Sequence, residues 1–208
     1  MPAEDSEAKT VLPRLMAAGA EVENCMVARA RDDSPLQLPR DLKELERGCE
    51  EFGAALLVID PLMAYVDGKI DTHSDASSRQ LLLPLTQMAE RTGMAIVAVR
   101  HHNKRSGAAA MNRGGGSIAF AAAARSVFLV GPDPEAEEDS AYVFASVKSN
   151  FGPRPTSLTY QLQTVDNNYG GSSRVSWGGE TDLKADDVVG QGAKSTTSVS
   201  VSQAAQTA

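Results

Sequence analysis

The sequence predicts an α/β protein built on a parallel sheet. Two unbroken apolar runs, Ala54-Ala55-Leu56-Leu57-Val58-Ile59 and Met94 to Val99, flank a segment of helical period. Strands apolar along their whole length are expected to be covered on both faces, and the order strand, helix, strand makes them parallel with helices as the cover. A series of short strand-like runs after residue 126 makes the C-terminal part strand-rich.

Taken in order, the first helix follows Glu4-Asp5-Ser6 and runs to Ala18, with Val11, Leu12, Leu15 and Met16 on one face and Gly19 as its stop. Pro13 either kinks it or marks its true first turn. Cys25 to Ala28 is a short apolar run, and 29–38 is a polar, proline-punctuated loop. Asp41 caps a helix in which Leu42, Leu45, Cys49 and Phe52 recur at helical spacing, and Gly53 ends it. Beyond Asp60, 61–75 reads as turn formers mixed with exposed polar residues. Leu81, Leu85, Met88 and Ala89 then mark a helix stopped by Gly93, with Pro84 blurring its start. Residues 105–117 are small, polar and glycine-rich, and Ile118 to Ala124 reads as a short alanine-rich helix. Strands follow at Ser126 to Val130, Ala141 to Val147, Ser157 to Leu162 and Arg174 to Trp177. Residues 1–181 form one domain. From 182 to 208 the apolar content collapses into Gly, Ser, Thr, Gln and Ala, a composition expected to remain a disordered tail.

Composition limits the function classes. A chain of 208 residues with 42% hydrophobic content buries one core. A net charge of −7 excludes the global basic field of a protein that coats nucleic acid, so any DNA contact is local. Cys25 and Cys49 lack metal-ligand spacing and disulfide density; they read as core-facing thiols in a reducing compartment. No apolar run approaches the roughly 18 residues of a membrane span, and Met-Pro-Ala-Glu-Asp-Ser lacks the regions of a signal peptide. A cytoplasmic protein with no membrane partner is the expectation.

Four segments carry candidate chemistry. Asp60 ends an apolar strand, where a carboxylate either holds the Mg²⁺ of a nucleotide through water, the Walker B pattern, or caps the following turn. His101, His102 and Asn103 emerge from the next strand at the sheet edge where open α/β sheets bind ligands. There a polar group senses a γ-phosphate, while a His pair without a third ligand makes a poor metal site. Arg113-Gly114-Gly115-Gly116-Ser117 combines backbone freedom with a guanidinium, as a phosphate contact or as a flexible linker. Lys104 and Arg105 are candidate single-stranded DNA contacts or solvated loop charges.

Glu4-Asp5, Leu57-Val58-Ile59-Asp60, His101-His102-Asn103-Lys104, Arg113 to Ser117 and Lys148-Ser149-Asn150, in that order, resemble the RepA-type branch of the RecA-like hexameric helicases, AAA/P-loop NTPases. The resemblance extends from about Ala3 to Trp177. It implies a RecA-like fold, ATP and Mg²⁺ as cofactors, a hexamer of like subunits and single-stranded DNA as partner. Glu4 matches the glutamate that polarises the attacking water, Asp60 the Walker B carboxylate, and His101 or His102 the residue linking γ-phosphate state to the DNA loops. Arg113 matches the arginine finger, assisted by Lys148, and Lys104 and Arg105 belong to the channel loop. The DnaB-type relatives carry an arginine two positions after that lysine, where this chain has Asn150.

The chain contains no G-x-x-x-x-G-K-[ST], the Walker A P-loop whose amides and lysine supply most of the phosphate binding. The expectation is therefore a helicase-type ATPase chain lacking its P-loop strand and helix, inactive alone, with apolar sheet surface and an open edge left exposed. The alternative is a noncatalytic RecA-fold regulator that offers Arg113 and Lys148 to an intact ATPase.

Overall fold

The computed structural model describes residues 1–29, 36–101, 118–166 and 172–190. It is an α/β structure with a small parallel sheet and a larger antiparallel one. The parallel sheet pairs β1 (Leu56–Ile59) with β2 (Ala95–Ala98), Leu56 opposite Ala95 and Ile59 opposite Ala98. Residues 1–3 extend it: Asp60 N donates to Met1 O at 3.0 Å, Ala3 N donates to Asp60 O at 2.9 Å, and Pro2 bridges Asp60 in parallel.

The connecting helix starts earlier than its apolar spacing indicates. α3 (Asp75–Thr92) is capped by Ser74, whose hydroxyl accepts from Ser77 N, and carries Pro84 in its interior. Ser78, Leu81, Leu85 and Met88 face inward, and Gly93 ends the helix at φ 71°. α2 (Leu42–Phe52) packs on α3 and buries Leu42, Leu45 and Cys49, while Phe52 is exposed. Gly53, at φ 72°, takes the left-handed conformation that closes this helix without Cβ strain. Asp41 accepts from Gln37 N at 2.8 Å rather than capping the amides of α2.

The first expected helix divides in two. Glu7–Val11 winds as a π-helical turn, and α1 (Leu12–Ala17) follows directly, with Pro13 near its start. Met16 is exposed and Pro13 is the buried residue of α1. Three further expectations are corrected. Cys25 is exposed, and only Cys49 lies in the core. The stretch after Asp60 is not uniformly polar and exposed: Leu62–Tyr65 form a 3-10 turn that buries Leu62 and Tyr65. Among the described residues the parallel strands are covered on one face only, since Leu57 and Ile59 join the core formed with α2 and α3 whereas Leu56, Val58 and Val97 are exposed.

α4 (Ala119–Ala123) packs on α3 through its N-terminal turn and leads into β3 (Ser126–Pro132). β3 begins the antiparallel sheet, in the order β3, β4 (Ala141–Ser149), β5 (Ser157–Val165), β6 (Ser172–Thr181). One face of β3 and β4, Leu129, Val143, Ala145 and Val147, is covered by α5 (Ala185–Gly190) through Ala185, Val188 and Val189. Gly131 permits that approach, because a Cβ there would lie 2.5 Å from Val188 Cγ1. α5 falls within 182–208, the segment expected to be wholly disordered: two valines at adjacent helical positions suffice to dock one turn onto the sheet, although the surrounding composition is polar. The opposite face carries an aromatic ladder, Phe128 on Phe144 at 4.6 Å, Tyr142 on Tyr160 at 5.4 Å, and Trp177 edge-on to both Phe144 and Tyr160. Phe128 and Trp177 are exposed. No helix among the described residues is long and apolar enough to cross a membrane.

Acid should weaken this fold through two carboxylates. Hydrogen bonds from the Arg40 side chain, and then from the Gln37 amide, hold Asp41 below its ordinary value of 3.8. The fork of Arg91, at 2.9 Å on both oxygens, holds Glu46 below 4.5. A carboxylate depressed in the folded state contributes stability that is present above its unfolded pKa and lost as pH falls through the folded one. Urea unfolding at a series of pH values should give a plateau down to about pH 4.5 and a decline below it, shallower in Arg91→Leu, which removes the Glu46 part.

Candidate functional site at the end of the parallel strands

The C-terminal end of the parallel strands gathers three of the candidate residues. Asp60 follows Ile59 at the end of β1 and is exposed, and the Asp60-Pro61 bond is cis. The hydrogen bond from Ala3 N to Asp60 O places Glu4 one residue away along the neighbouring segment. Glu4 Oε2 lies 3.7 Å from His101 Nε2, with both side chains 67% exposed. An exposed pair of this kind fixes little by itself, but it joins the ends of two sheet elements beside Asp60. Beneath them Tyr65 is buried, and burial first, then the nearby charges of Asp60 and Glu7, pushes its phenol above the ordinary value of 10.0.

Such an edge can hold a hard cation only in one manner. Among the described residues no group of three or more His, Cys, Asp or Glu side chains forms a metal cage. Mg²⁺ does not need one, because it keeps several waters and is bound through one or two carboxylates plus substrate phosphates. The exposed carboxylates of Asp60 and Glu4 fit that donor set; a bound Mg²⁺ would neutralise phosphate charge there.

Lys148 lies elsewhere. Its ammonium, on β4, donates to the carbonyls of Ala121 (3.1 Å), Ala122 (2.7 Å) and Ala124 (2.8 Å) at the C-terminal end of α4. All three donors of an ammonium are thereby used, so a phosphate contact by Lys148 requires it to leave the helix end. His102, Lys104, Arg105 and Arg113 lie outside the described residues.

One residue at this edge carries no role in the sequence reading. Arg100 follows β2 on the face of Ile96, so its side chain turns toward the core and lies 4.1 Å above the ring of Phe120. Its Nε and Nη2 are buried without a hydrogen-bond partner among the described residues. Burial without a compensating charge pushes the guanidinium below its ordinary value. The available signal was a cation closing an otherwise apolar run.

A search among curated proteins returns no match to this chain. Residues 3–107, half of the chain, match the AAA domain family, which spans Glu4, Asp60 and His101. The match supports an ATPase-type, nucleotide-binding domain, a class that commonly uses Mg²⁺, and on this ground the chain belongs to the AAA domain family.

Proposed function

We propose that this chain carries the catalytic carboxylates of a RecA-like, RepA-type DNA helicase ATPase whose Walker A strand and helix come from outside these 208 residues. The observation that carries the reading is the convergence of Glu4, Asp60 and His101 at one end of the parallel strands. Asp60 would hold Mg²⁺, which when bound would neutralise phosphate charge; Glu4 accepts the proton of the attacking water, and His101, in contact with Glu4, responds to the γ-phosphate. Two features favour a supply of the P-loop from elsewhere. The 208 residues hold no G-x-x-x-x-G-K-[ST], and among the described residues β2 and β3 each pair with a single strand, leaving free edges beside exposed Val97, Phe128 and Val130. Single-stranded DNA and a hexamer of like subunits are the partners the reading assigns, with Lys104 and Arg105 as DNA contacts.

The test begins with in-frame translation of the DNA ahead of the Met1 codon, where a strand followed by the P-loop is expected. In the chain carrying it, Glu4→Gln should lower kcat for ATP about 10²–10⁴-fold with little change in nucleotide affinity, as loss of a general base does. Asp60→Asn should lower both kcat and Mg²⁺-dependent binding. Tight Mg-ATP binding and turnover by the 208 residues alone would sink the proposal. An upstream sequence without a P-loop would turn it toward the noncatalytic regulator.

A further inference from the structure

We infer that Arg100 is an oxyanion receptor, whose guanidinium takes a phosphate-class group at the C-terminal end of β2. A buried guanidinium with two unmet donors is costly unless an anion joins it. The face of Phe120 offsets part of that cost but accepts none of the hydrogen bonds that Nε and Nη2 can donate. Nε and Nη2 are the two donors of the fork that matches a phosphate or carboxylate bidentately. Arg100 forms no ion pair with Asp60, Glu4 or any other carboxylate among the described residues. Its place, at the strand ends where open α/β sheets bind ligands, favours a small mobile anion over a structural carboxylate. The choice of phosphate rests on the ATPase reading; the need for an anion does not.

The experiment is thermal melting of the 208-residue chain in inorganic phosphate or pyrophosphate, against chloride at matched ionic strength, with wild type, Arg100→Met and Arg100→Lys. The wild-type Tm should rise by about 4 °C once the anion exceeds its Kd tenfold. Arg100→Met should show no rise, and in chloride should melt at or above the wild type, because an apolar side chain of similar length on Phe120 removes an unpaired buried charge. Arg100→Lys, with charge but no fork, should show a smaller rise than the wild type. The inference is overturned if phosphate does not stabilise the wild type, or if it stabilises all three chains equally. It is also overturned if Arg100→Met melts lower in chloride or fails to fold, since the guanidinium is then structural. Asp60→Asn separates the two proposals. It should keep the Mg²⁺-free phosphate shift, so absence of ATP hydrolysis in the unmutated upstream-extended chain can refute the ATPase reading while leaving Arg100 in place. Mg-ATP added to the same melts tells whether the phosphate is taken as part of a nucleotide or free.

Discussion

Lys148→Met is expected to lower stability by about 2–3 kcal/mol and Tm by roughly 5–10 °C. The ammonium meets three carbonyls within 3.1 Å at the end of α4, a helix of five residues too short to persist by its own hydrogen bonds. Those carbonyls have no further turn to bond, and they form the negative end of the helix dipole. Methionine keeps the stem and removes the charge, so the carbonyls must find water and α4 loses its tie to β4. A hydrogen bond to a charged group contributes about 1.5–3 kcal/mol. The bond to Ala122 is exposed, which holds the sum of the three well below three times that figure. Lys148→Arg should recover only part of the loss, because a planar fork cannot point three donors at one cluster. Melting curves decide between this role and a nucleotide contact. A Lys148→Met chain with unchanged Tm but weakened nucleotide binding would return Lys148 to the phosphate site.

Much of the fold was legible because local chemistry and tertiary packing agree. Asp41 to Gly53 reads as a helix from a polar start, apolar residues at helical spacing and a glycine that alone takes φ 72° cheaply, and the segment folds so. The two parallel strands declare themselves by continuous apolar runs. That signal overreached at Leu56, Val58 and Val97, because an apolar residue records a side chain suited to burial and not the presence of its cover. Tyr65 and Leu62 were hidden by the turn formers around them, and α5 by a polar tail in which two valines do the packing. For the site, Asp60 and His101 are candidates because each follows an apolar run, and Glu4 only through the family resemblance. Lys148 and Arg100 could not be given their surroundings, since both depend on α4, whose position beside β2 and β4 is a tertiary fact with no local signature.

Ile59→Ala should cost about 3–4 kcal/mol, whereas Val58→Thr next to it should cost less than about 0.5 kcal/mol in the 208-residue chain. Adjacent strand residues point to opposite faces. Ile59 is 0% exposed in the core shared with Leu81 and Met88, and a cavity there has little freedom to collapse. Against a total stability on the order of 5–15 kcal/mol such a loss is a large fraction. It would also loosen the backbone that carries Asp60. Val58 is 39% exposed, so a hydroxyl there stays in water and leaves no polar group unpaired. The pair then tests what the bare face is for. If a P-loop strand and helix complete the sheet, Val58 becomes buried in the extended chain and Val58→Thr should cost about 1–2 kcal/mol more than it does in the 208 residues. Urea midpoints at constant m measure both differences. An equal and small cost of Val58→Thr in the two chains would mean that this face stays open to solvent and that no P-loop helix covers it.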